Sequence, residues 1–349
     1  MKSKKIAIIG HFGGNENILD GQTIKTKILY EELLNATKWE IIKVDTYYKS
    51  KHPIRLLVHS LRVLVTTQDI IVLLSGNGMR FYFPLLSFFA KVLKKRIYHD
   101  VIGGNLDSYV RKFPQFCSYL NSFKVNWVET ESLKRKLIDC GVNNCEIMPN
   151  FKRLNLVSVS KVEKSEPFRF CIFSRVMKEK GIEDAIDAVQ AINAEYDREI
   201  CQLDIYGRID DGYRNRFEKL MNGVSNAVKY TGTVPYDKSV EAIQGYHALL
   251  FPTFWSGEGF PGTIVDAFSA GLPVIATDWN CNSEIVDNGV NGILYPNEKF
   301  SNLKEAIEWF ISHQDQWASM KRNCIDTASL YQPDRYIAVI INRIQSKEI

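Results

Sequence analysis

The chain has 349 residues, 45% of them apolar, and this composition is typical of a globular protein with about two domains. The formal net charge is only +4, but residues 1–150 carry 22 Lys and Arg against 13 Asp and Glu, whereas residues 151–349 carry 22 against 27. The seven cysteines lack disulfide or zinc-ligand spacing and no apolar segment is long enough to span a bilayer, so we expect a cytoplasmic protein.

The first half of the chain alternates apolar strand patterns with helical patterns. Strands are predicted at 5–10, 40–45, 69–76, 95–100 and 124–130. Helices are predicted at 22–35, 53–66 and 82–94. Near-continuous apolar strands are typical of a parallel sheet that is covered by helices on both faces. The polar, charged segment 152–167 is interpreted as a linker.

A second series with the same rhythm follows this segment. Its strands are predicted at 168–175, 201–207, 228–232, 247–253, 272–278 and 292–296. Its helices are predicted at 181–195, 212–222, 236–244, 263–270 and 301–312. The fold class is therefore α/β, with two doubly wound Rossmann-like domains at 1–160 and 165–330 and a terminal helix within 332–349 that packs back on the first. Ligands bind beyond the carboxyl ends of such strands, so we expect the site in a deep cleft between the domains.

The loop after strand 247–253 combines glycines with a carboxylate. Amides at the start of the following helix attract anions, and the glycines let a ligand approach the main chain. Glu258 can accept hydrogen bonds from two hydroxyls of a sugar, and Asp266, about one turn into the helix, can flank the same pocket. The alternative is that Glu258 caps the helix and Asp266 is solvated.

Residues 258–276, EGFPGTIVDAFSAGLPVIA, resemble the Glu-x7-Glu signature of the family 4 retaining glycosyltransferases of the GT-B fold. Pro261 stands where that family commonly has Gly, and Asp266 replaces its second Glu. The resemblance assigns a ribose contact to Asp266. It also implies that the donor lies against the residues that follow Glu258, namely Gly259, Phe260, Pro261 and Gly262.

Two further segments match the family in the expected order. Residues 173–188, FSRVMKEKGIEDAIDA, resemble its G-R-L-x-x-x-K-G pattern, with Ser174 in place of Gly. By this resemblance Arg175 and Lys180 neutralise a diphosphate, and Arg supplies a planar fork while Lys supplies a point charge. The alternative is two surface cations before a helix. Segment 228–239 resembles the element beside the nucleobase, where main-chain groups would hold the base edge, which makes Thr233 and Val234 candidates for base contacts.

Two features of the first domain are candidate site elements. Gly13 and Gly14 lie in a turn after the first strand, which does not have the spacing of a dinucleotide fingerprint. The resemblance implies that this turn reaches the donor phosphates and the acceptor. His99 lies at the end of strand 95–100 and is similar to the acceptor-side His of the family. The alternative for His99 is a hydrogen bond within a loop.

The combined interpretation is a retaining, metal-independent hexosyltransferase that uses a nucleotide diphosphate sugar, with uridine diphosphate as the expected nucleotide. Arg175, Lys180 and the amides after Glu258 would stabilise the departing diphosphate. No cofactor, metal or nucleic acid is expected, and the acceptor is a saccharide or polyprenol-linked saccharide of a cell-surface polysaccharide pathway. Two alternatives are a sugar-nucleotide epimerase of similar fold and a non-catalytic sugar-nucleotide-binding subunit.

The basic first domain suggests peripheral attachment to an anionic membrane surface on the inner face of the cell membrane. The segments that suggest it are KVLKKR at 91–96 and HPIRLLVHSLRVL at 52–64. The second contains a helical apolar stripe, formed by Ile54, Leu57, Val58, Leu61 and Leu64. Such a stripe is more often a core-packing face than a membrane contact, and core packing is our expectation here.

Overall fold

A computed structural model describes residues 4–16, 21–157, 166–296 and 300–346, and the chain divides into two compact units. The N-terminal unit is Met1–Arg153 with Gln332–Ile349, and the C-terminal unit is Leu154–Tyr331. Half of the predicted linker, residues 158–165, lies outside the described residues, as do the predicted domain limits at 160 and 165. The predicted fold class is confirmed, because each unit contains a six-stranded parallel sheet with interleaved helices.

The sheet of the N-terminal unit has the order β2-β1-β3-β4-β5-β6. Its strands are β1 (Lys5–Gly10), β2 (Glu40–Asp45), β3 (Asp69–Leu73), β4 (Arg96–Asp100), β5 (Val125–Val128) and β6 (Cys145–Ile147). Its helices are α1 (Gly21–Ala36), α2 (Pro53–Thr66), α3 (Gly76–Val92), α4 (Leu106–Lys112), α5 (Gln115–Asn121) and α6 (Glu131–Asp139). No helix in the described parts of the chain is long and apolar enough to cross a membrane.

The sheet of the C-terminal unit has the order β12-β11-β10-β7-β8-β9. Its strands are β7 (Phe168–Phe173), β8 (Cys201–Tyr206), β9 (Val228–Gly232), β10 (Ala248–Phe251), β11 (Val274–Thr277) and β12 (Gly292–Tyr295). Its helices are α7 (Ile182–Glu195), α8 (Arg214–Met221), α9 (Ser239–Ile243), α10 (Gly262–Ser269), α11 (Phe300–Ser312) and α12 (Trp317–Ser329). The chain then returns to the N-terminal unit as α13 (Pro333–Gln345).

The central strands are apolar on both faces because helices cover both sides of each sheet. Alternate residues of a strand point to opposite faces, and in β1 Ile6 and Ile8 enter one apolar cluster while Ala7 and Ile9 enter another. Ile340 of α13 belongs to the same cluster as Ile6. The terminal helix therefore covers one face of the N-terminal sheet.

The apolar stripe of α2 does not form the core face that its periodicity suggested. Of the five residues, only Leu64 is buried, whereas Ile54 is 77% and Val58 60% exposed. The buried side of α2 consists instead of Ser60, Val63 and Leu64. The expectation of core packing for the stripe is therefore wrong.

The strand order of the C-terminal unit reverses between its two central strands, β7 and β10. The crossovers from these strands run toward opposite edges of the sheet, so the loops that leave their carboxyl ends diverge. In open parallel sheets, this switch point leaves the crevice in which ligands bind. Arg175 and Lys180 follow β7, and Glu258 follows β10, so the fold brings both predicted segments to this point.

Candidate functional site

A close approach of main chains brings the loop after β7 against the end of β10. Lys178–Lys180 forms one turn of 3-10 helix, and Gly181 then adopts a left-handed conformation with φ 68°. A Cβ atom at position 181 would lie 2.1 Å from the carbonyl oxygen of Pro252. Only glycine permits both the conformation and the approach, which places Lys180 beside the loop that carries Glu258.

Lys180 and Glu258 form an ion pair in which the Lys180 ammonium donates to Glu258 Oε2. Lys180 is 8% and Glu258 7% exposed. Thr253 Oγ1 donates to the same carboxylate oxygen at 2.9 Å. Among the residues that the structure describes, no hydrogen bond ends on Glu258 Oε1. One oxygen of this carboxylate is thus fixed by the protein, and the other is able to accept a hydrogen bond from a ligand.

The Trp255 ring lies near both predicted cations. Arg175 lies 5.2 Å and Lys180 5.0 Å from the centroid of the Trp255 ring, within the range of cation–π attraction. Arg175 is exposed, and Lys180 is already balanced by Glu258. The local net charge is therefore positive, which suits an anionic ligand.

The segment after β11 fixes the main chain of the Glu258 loop. Trp279 Nε1 donates to the carbonyl of Trp255 at 3.0 Å, and the Asn280 side-chain amide donates to the carbonyl of Glu258. Cys281 Sγ contacts the carbonyl oxygen of Gly259 at 3.1 Å. These contacts hold the loop in place before any ligand binds, which is the preorganisation that electrostatic catalysis needs.

The helix that follows the loop presents an N-terminus without a side-chain cap. Helix α10 starts at Gly262, and its N-cap residue is Pro261, whose side chain makes no capping hydrogen bond. Glu258 pairs with Lys180 rather than capping the helix, and Asp266 is buried. The alternative of a capping Glu258 and a solvated Asp266 is therefore wrong. The Phe260 ring packs on Tyr331 with ring centroids 5.1 Å apart, so it is a core side chain.

Thr233 and Val234 follow β9, two strands away from β7 in the sheet. Thr233 is exposed, whereas Val234 packs against the apolar cluster that contains Phe251 and Phe260. The candidate for a side-chain contact at this edge is therefore Thr233. The sequence pattern did not predict which of the two side chains is exposed.

The Gly13 and Gly14 turn lies in the N-terminal unit, and both residues have left-handed φ values, 83° and 58°. The Phe12 and Gly14 amides donate to the two carboxylate oxygens of Asp45 at 2.9 and 2.8 Å. The Gly14 amide is therefore already engaged inside the protein. Asp45 was not predicted as a site residue, although it ends a predicted strand and so lies at the carboxyl edge of the sheet.

His99 lies inside the core of the N-terminal unit. Its ring is fully buried against Phe83, with centroids 4.9 Å apart, and Nδ1–H donates to Asn126 Oδ1 at 2.9 Å. Burial lowers the pKa of His99 to about 4. Adjacent residues of a strand point to opposite faces of the sheet, and the His99 side chain points to the face on which Phe83 packs. The ring therefore lacks the surface that direct contact with an acceptor requires.

A buried charge cluster at the carboxyl ends of β4 and β5 was not predicted. Lys25 Nζ lies 2.7 Å from Asp100 Oδ1 and 2.8 Å from Glu129 Oε1, and it donates to the carbonyl of Val101 at 2.9 Å. Burial raises the pKa of Asp100. Burial by itself lowers the pKa of Lys25, but the two carboxylates raise it above its ordinary value. Lys25 thus remains charged and joins α1 to two strand ends.

The two doubly wound units constitute the GT-B fold. The chain is similar in structure to HepE of Anabaena, solved in complex with UDP and glucose, with a TM-score of 0.74 at 16% sequence identity. The match covers 99% of this chain and 100% of HepE. At this level of identity the likeness establishes the fold.

Sequence comparisons show what the C-terminal unit is similar to. Residues 157–328, almost the whole unit, match the family described as glycosyl transferases group 1. The chain is 22% identical over 251 residues, 64% of its length, to an uncharacterized glycosyltransferase of Methanocaldococcus jannaschii. It is 25% identical over 193 residues, 53% of its length, to the lipopolysaccharide 1,6-galactosyltransferase of Salmonella typhimurium. The matches span 62% and 49% of those two relatives.

Proposed function

We propose that the chain is a retaining glycosyltransferase that transfers a hexose from a nucleotide diphosphate sugar, preferably a UDP-sugar. The acceptor is a saccharide or a lipid-linked saccharide in cell-surface polysaccharide synthesis. The observation that carries the proposal is the convergence of Arg175, Lys180 and Glu258 at the switch point of the C-terminal sheet. The UDP and glucose of the HepE complex support the donor class, and the Salmonella galactosyltransferase supports the acceptor class.

The diphosphate of the donor is the proposed ligand of the positive groups. Arg175 offers two parallel donors to phosphate oxygens, and Lys180 offers a point charge. The uncapped N-terminus of α10 adds main-chain amides and the positive end of the helix dipole. The leaving diphosphate gains negative charge as its bond to the sugar breaks, so these groups bind the transition state more strongly than the intact donor.

Glu258 is the proposed ligand of a sugar hydroxyl. Lys180 and Thr253 hold Oε2, so Oε1 can accept a hydrogen bond from the hexose. Lys180 then lies between the carboxylate and the diphosphate and restrains both. In this arrangement Glu258 orients the sugar and requires no change of protonation state.

The proposed reaction exchanges one bond at the anomeric carbon. The bond from C1 to the diphosphate oxygen breaks, and a bond from C1 to the acceptor oxygen forms on the same face of the sugar. The acceptor proton passes to the departing phosphate oxygen, so the scheme needs no separate protein base. Asp266 is proposed to contact the ribose and Thr233 the base edge, with Val234 beside it. Gly13 and Gly14 are proposed to lie next to the bound donor.

A donor screen tests the proposal. The purified protein is incubated with a panel of sugar nucleotides, with and without short saccharide acceptors, and products are identified by mass spectrometry and by the NMR coupling of the anomeric proton. The proposal predicts nucleotide diphosphate release and a product with the anomeric configuration of the donor. Conversion of the sugar nucleotide without acceptor would indicate an epimerase, and UDP binding without turnover would indicate a binding subunit. Glu258→Gln is the inactive control.

A further inference from the structure

Helix α2 presents an apolar stripe to solvent. Ile54 is 77% and Val58 60% exposed, Leu57 and Leu61 are further exposed members of the stripe, and exposed Val65 extends it. Their spacing of three and four residues places them on one side of the helix. Ser60, Val63 and Leu64 form the buried side, so the exposed stripe is additional to the face that packs on the sheet. A monomeric protein rarely leaves such a stripe uncovered.

Helix α3 presents a second exposed stripe beside the first. Phe81 and Phe88 are each 55% exposed, and Val92 continues the same side of the helix one turn later. The two helices are in direct contact, because Ser60 Oγ and Tyr82 OH form a hydrogen bond of 2.8 Å. The corner after α3 also reaches α2, where Lys95 Nζ donates to the carbonyl of Val65 at 2.8 Å.

Every exposed charged side chain within α2, α3 and the corner after α3 is basic. Between Asp45 and Asp100 the chain has one carboxylate, Asp69, which is buried and pairs with Arg96 at 2.6 Å. The exposed cations of α2, α3 and the corner after α3 are Arg55, Arg62, Arg80, Lys91 and Lys94. The apolar stripes are thus accompanied by positive charges, and these two helices and the corner after α3 contain no exposed carboxylate.

The geometry points to a membrane-docking surface, formed by the exposed sides of α2 and α3, that binds an anionic lipid bilayer. A helix with aliphatic and aromatic residues beside Arg and Lys inserts its apolar side at the headgroup boundary, while its cations bind anionic headgroups. A protein interface is less well matched, because charged residues are depleted at the cores of such interfaces. The surface belongs to the N-terminal unit and contains none of the proposed donor ligands.

Vesicle flotation tests this surface with the full chain. The probes are phosphatidylcholine vesicles with and without phosphatidylglycerol, at low and high salt. We expect binding to the anionic vesicles alone and release at high salt, because exposed charges are screened. Val58→Glu combined with Phe88→Glu should lower the bound fraction at least about tenfold, since a carboxylate at the insertion depth opposes both apolar and electrostatic contact. Val339→Glu, at an exposed position of α13, is the matched control and should bind as the wild type does.

Three outcomes would contradict the proposal of a membrane-docking surface. These are no flotation with anionic vesicles at low salt, equal flotation of the double variant and the wild type, or a dimer in sedimentation velocity that the double variant dissociates. Donor turnover without vesicles separates this inference from the proposed function. If flotation follows the prediction but no sugar nucleotide is consumed, the proposed function is wrong and the membrane-docking proposal is still supported. If the protein turns over donor but does not float with anionic vesicles, only the membrane-docking proposal is wrong.

Discussion

The ammonium of Lys180 donates to the carboxylate of Glu258, although 78 positions separate the two residues in the chain. One residue follows β7 and the other follows β10, and the neighbouring positions of these strands in the sheet bring them together. Both side chains are buried, so each charge depends on the other for its compensation. A change at either residue therefore alters the stability of the unit as well as the site.

Glu258→Gln should separate sugar transfer from nucleotide binding. Gln keeps the shape and an oxygen that can accept from Thr253, but it removes the negative charge beside the diphosphate site. We expect the transfer rate at saturating donor to fall about 100- to 1000-fold. UDP should bind at least as tightly as it does to the wild type, because Lys180 is no longer neutralised. Steady-state kinetics and calorimetry measure the two effects, and an undiminished transfer rate would remove Glu258 from the site.

Lys180→Met should destabilise the protein. The substitution leaves the buried Glu258 carboxylate without its counter-charge, which typically costs about 3–5 kcal/mol. Adding Glu258→Gln should restore a large part of this loss, because the remaining side chain is neutral. Urea unfolding of the two single variants and the double variant gives the coupling energy. If the changes in unfolding free energy of the two single variants simply add in the double variant, the ion pair contributes nothing to stability.

Arg175→Ala should reduce activity without reducing stability. Arg175 is exposed and contacts Trp255, so we expect the free energy of unfolding to change by less than about 0.5 kcal/mol. Transfer should fall about 100-fold because a phosphate ligand is lost, and Arg175→Lys should recover part of it. Arg214→Ala, at an exposed arginine that lies 3.6 Å from Asp211, is the control and should leave kcat/KM unchanged. Near-full activity of Arg175→Ala at saturating donor would exclude the phosphate role.

His99 should make the fold sensitive to mild acid. The unfolded chain titrates this residue near the ordinary pKa of about 6.5, whereas burial lowers the pKa of folded His99 to about 4. The folded state therefore favours the neutral ring, and this contribution is complete above pH 6.5 and is lost as the pH falls toward 4. In this window unfolding takes up about one additional proton.

The His99→Gln variant isolates this effect. Gln can still donate to Asn126 but does not titrate, so the slope of unfolding free energy against pH should decrease between pH 6.5 and 4. Asp100, whose pKa is raised by burial, is present in both proteins and cancels from the difference. Identical slopes for the two proteins would show that His99 is not held neutral by the fold.

The limits of strands and helices were predicted most accurately where a single local signal marks the boundary. The limits of β2, β9, α2 and α13 agree with the predicted ranges, because each is bounded by a clear change of periodicity or by Pro or Gly. Helix α3 begins at Gly76 rather than 82, because packing of Met79 stabilises a first turn that is poor in helix formers. The short helices α4 to α6 and helix α12 were not predicted, although α12 buries Trp317, Met320, Cys324 and Ala328 at helical spacing.

The residues of the site were accessible from the sequence, but their contacts were not. Resemblance named Glu258 and Lys180, whereas their pairing depends on the strand order, which no local pattern encodes. Thr253 was missed because a threonine at a strand end has no distinctive signal. The stripe on α2 shows the same limit, because periodicity identifies an apolar face but not whether another element covers Ile54 and Val58.

A crystal structure of the protein with its nucleotide sugar tests the central claim most directly. The account predicts the diphosphate within hydrogen-bond distance of the Arg175 guanidinium and the Lys180 ammonium. It also predicts a hexose hydroxyl on Glu258 Oε1. A nucleotide bound at any other place, with Lys180 and Glu258 still paired and no ligand beside them, would contradict it.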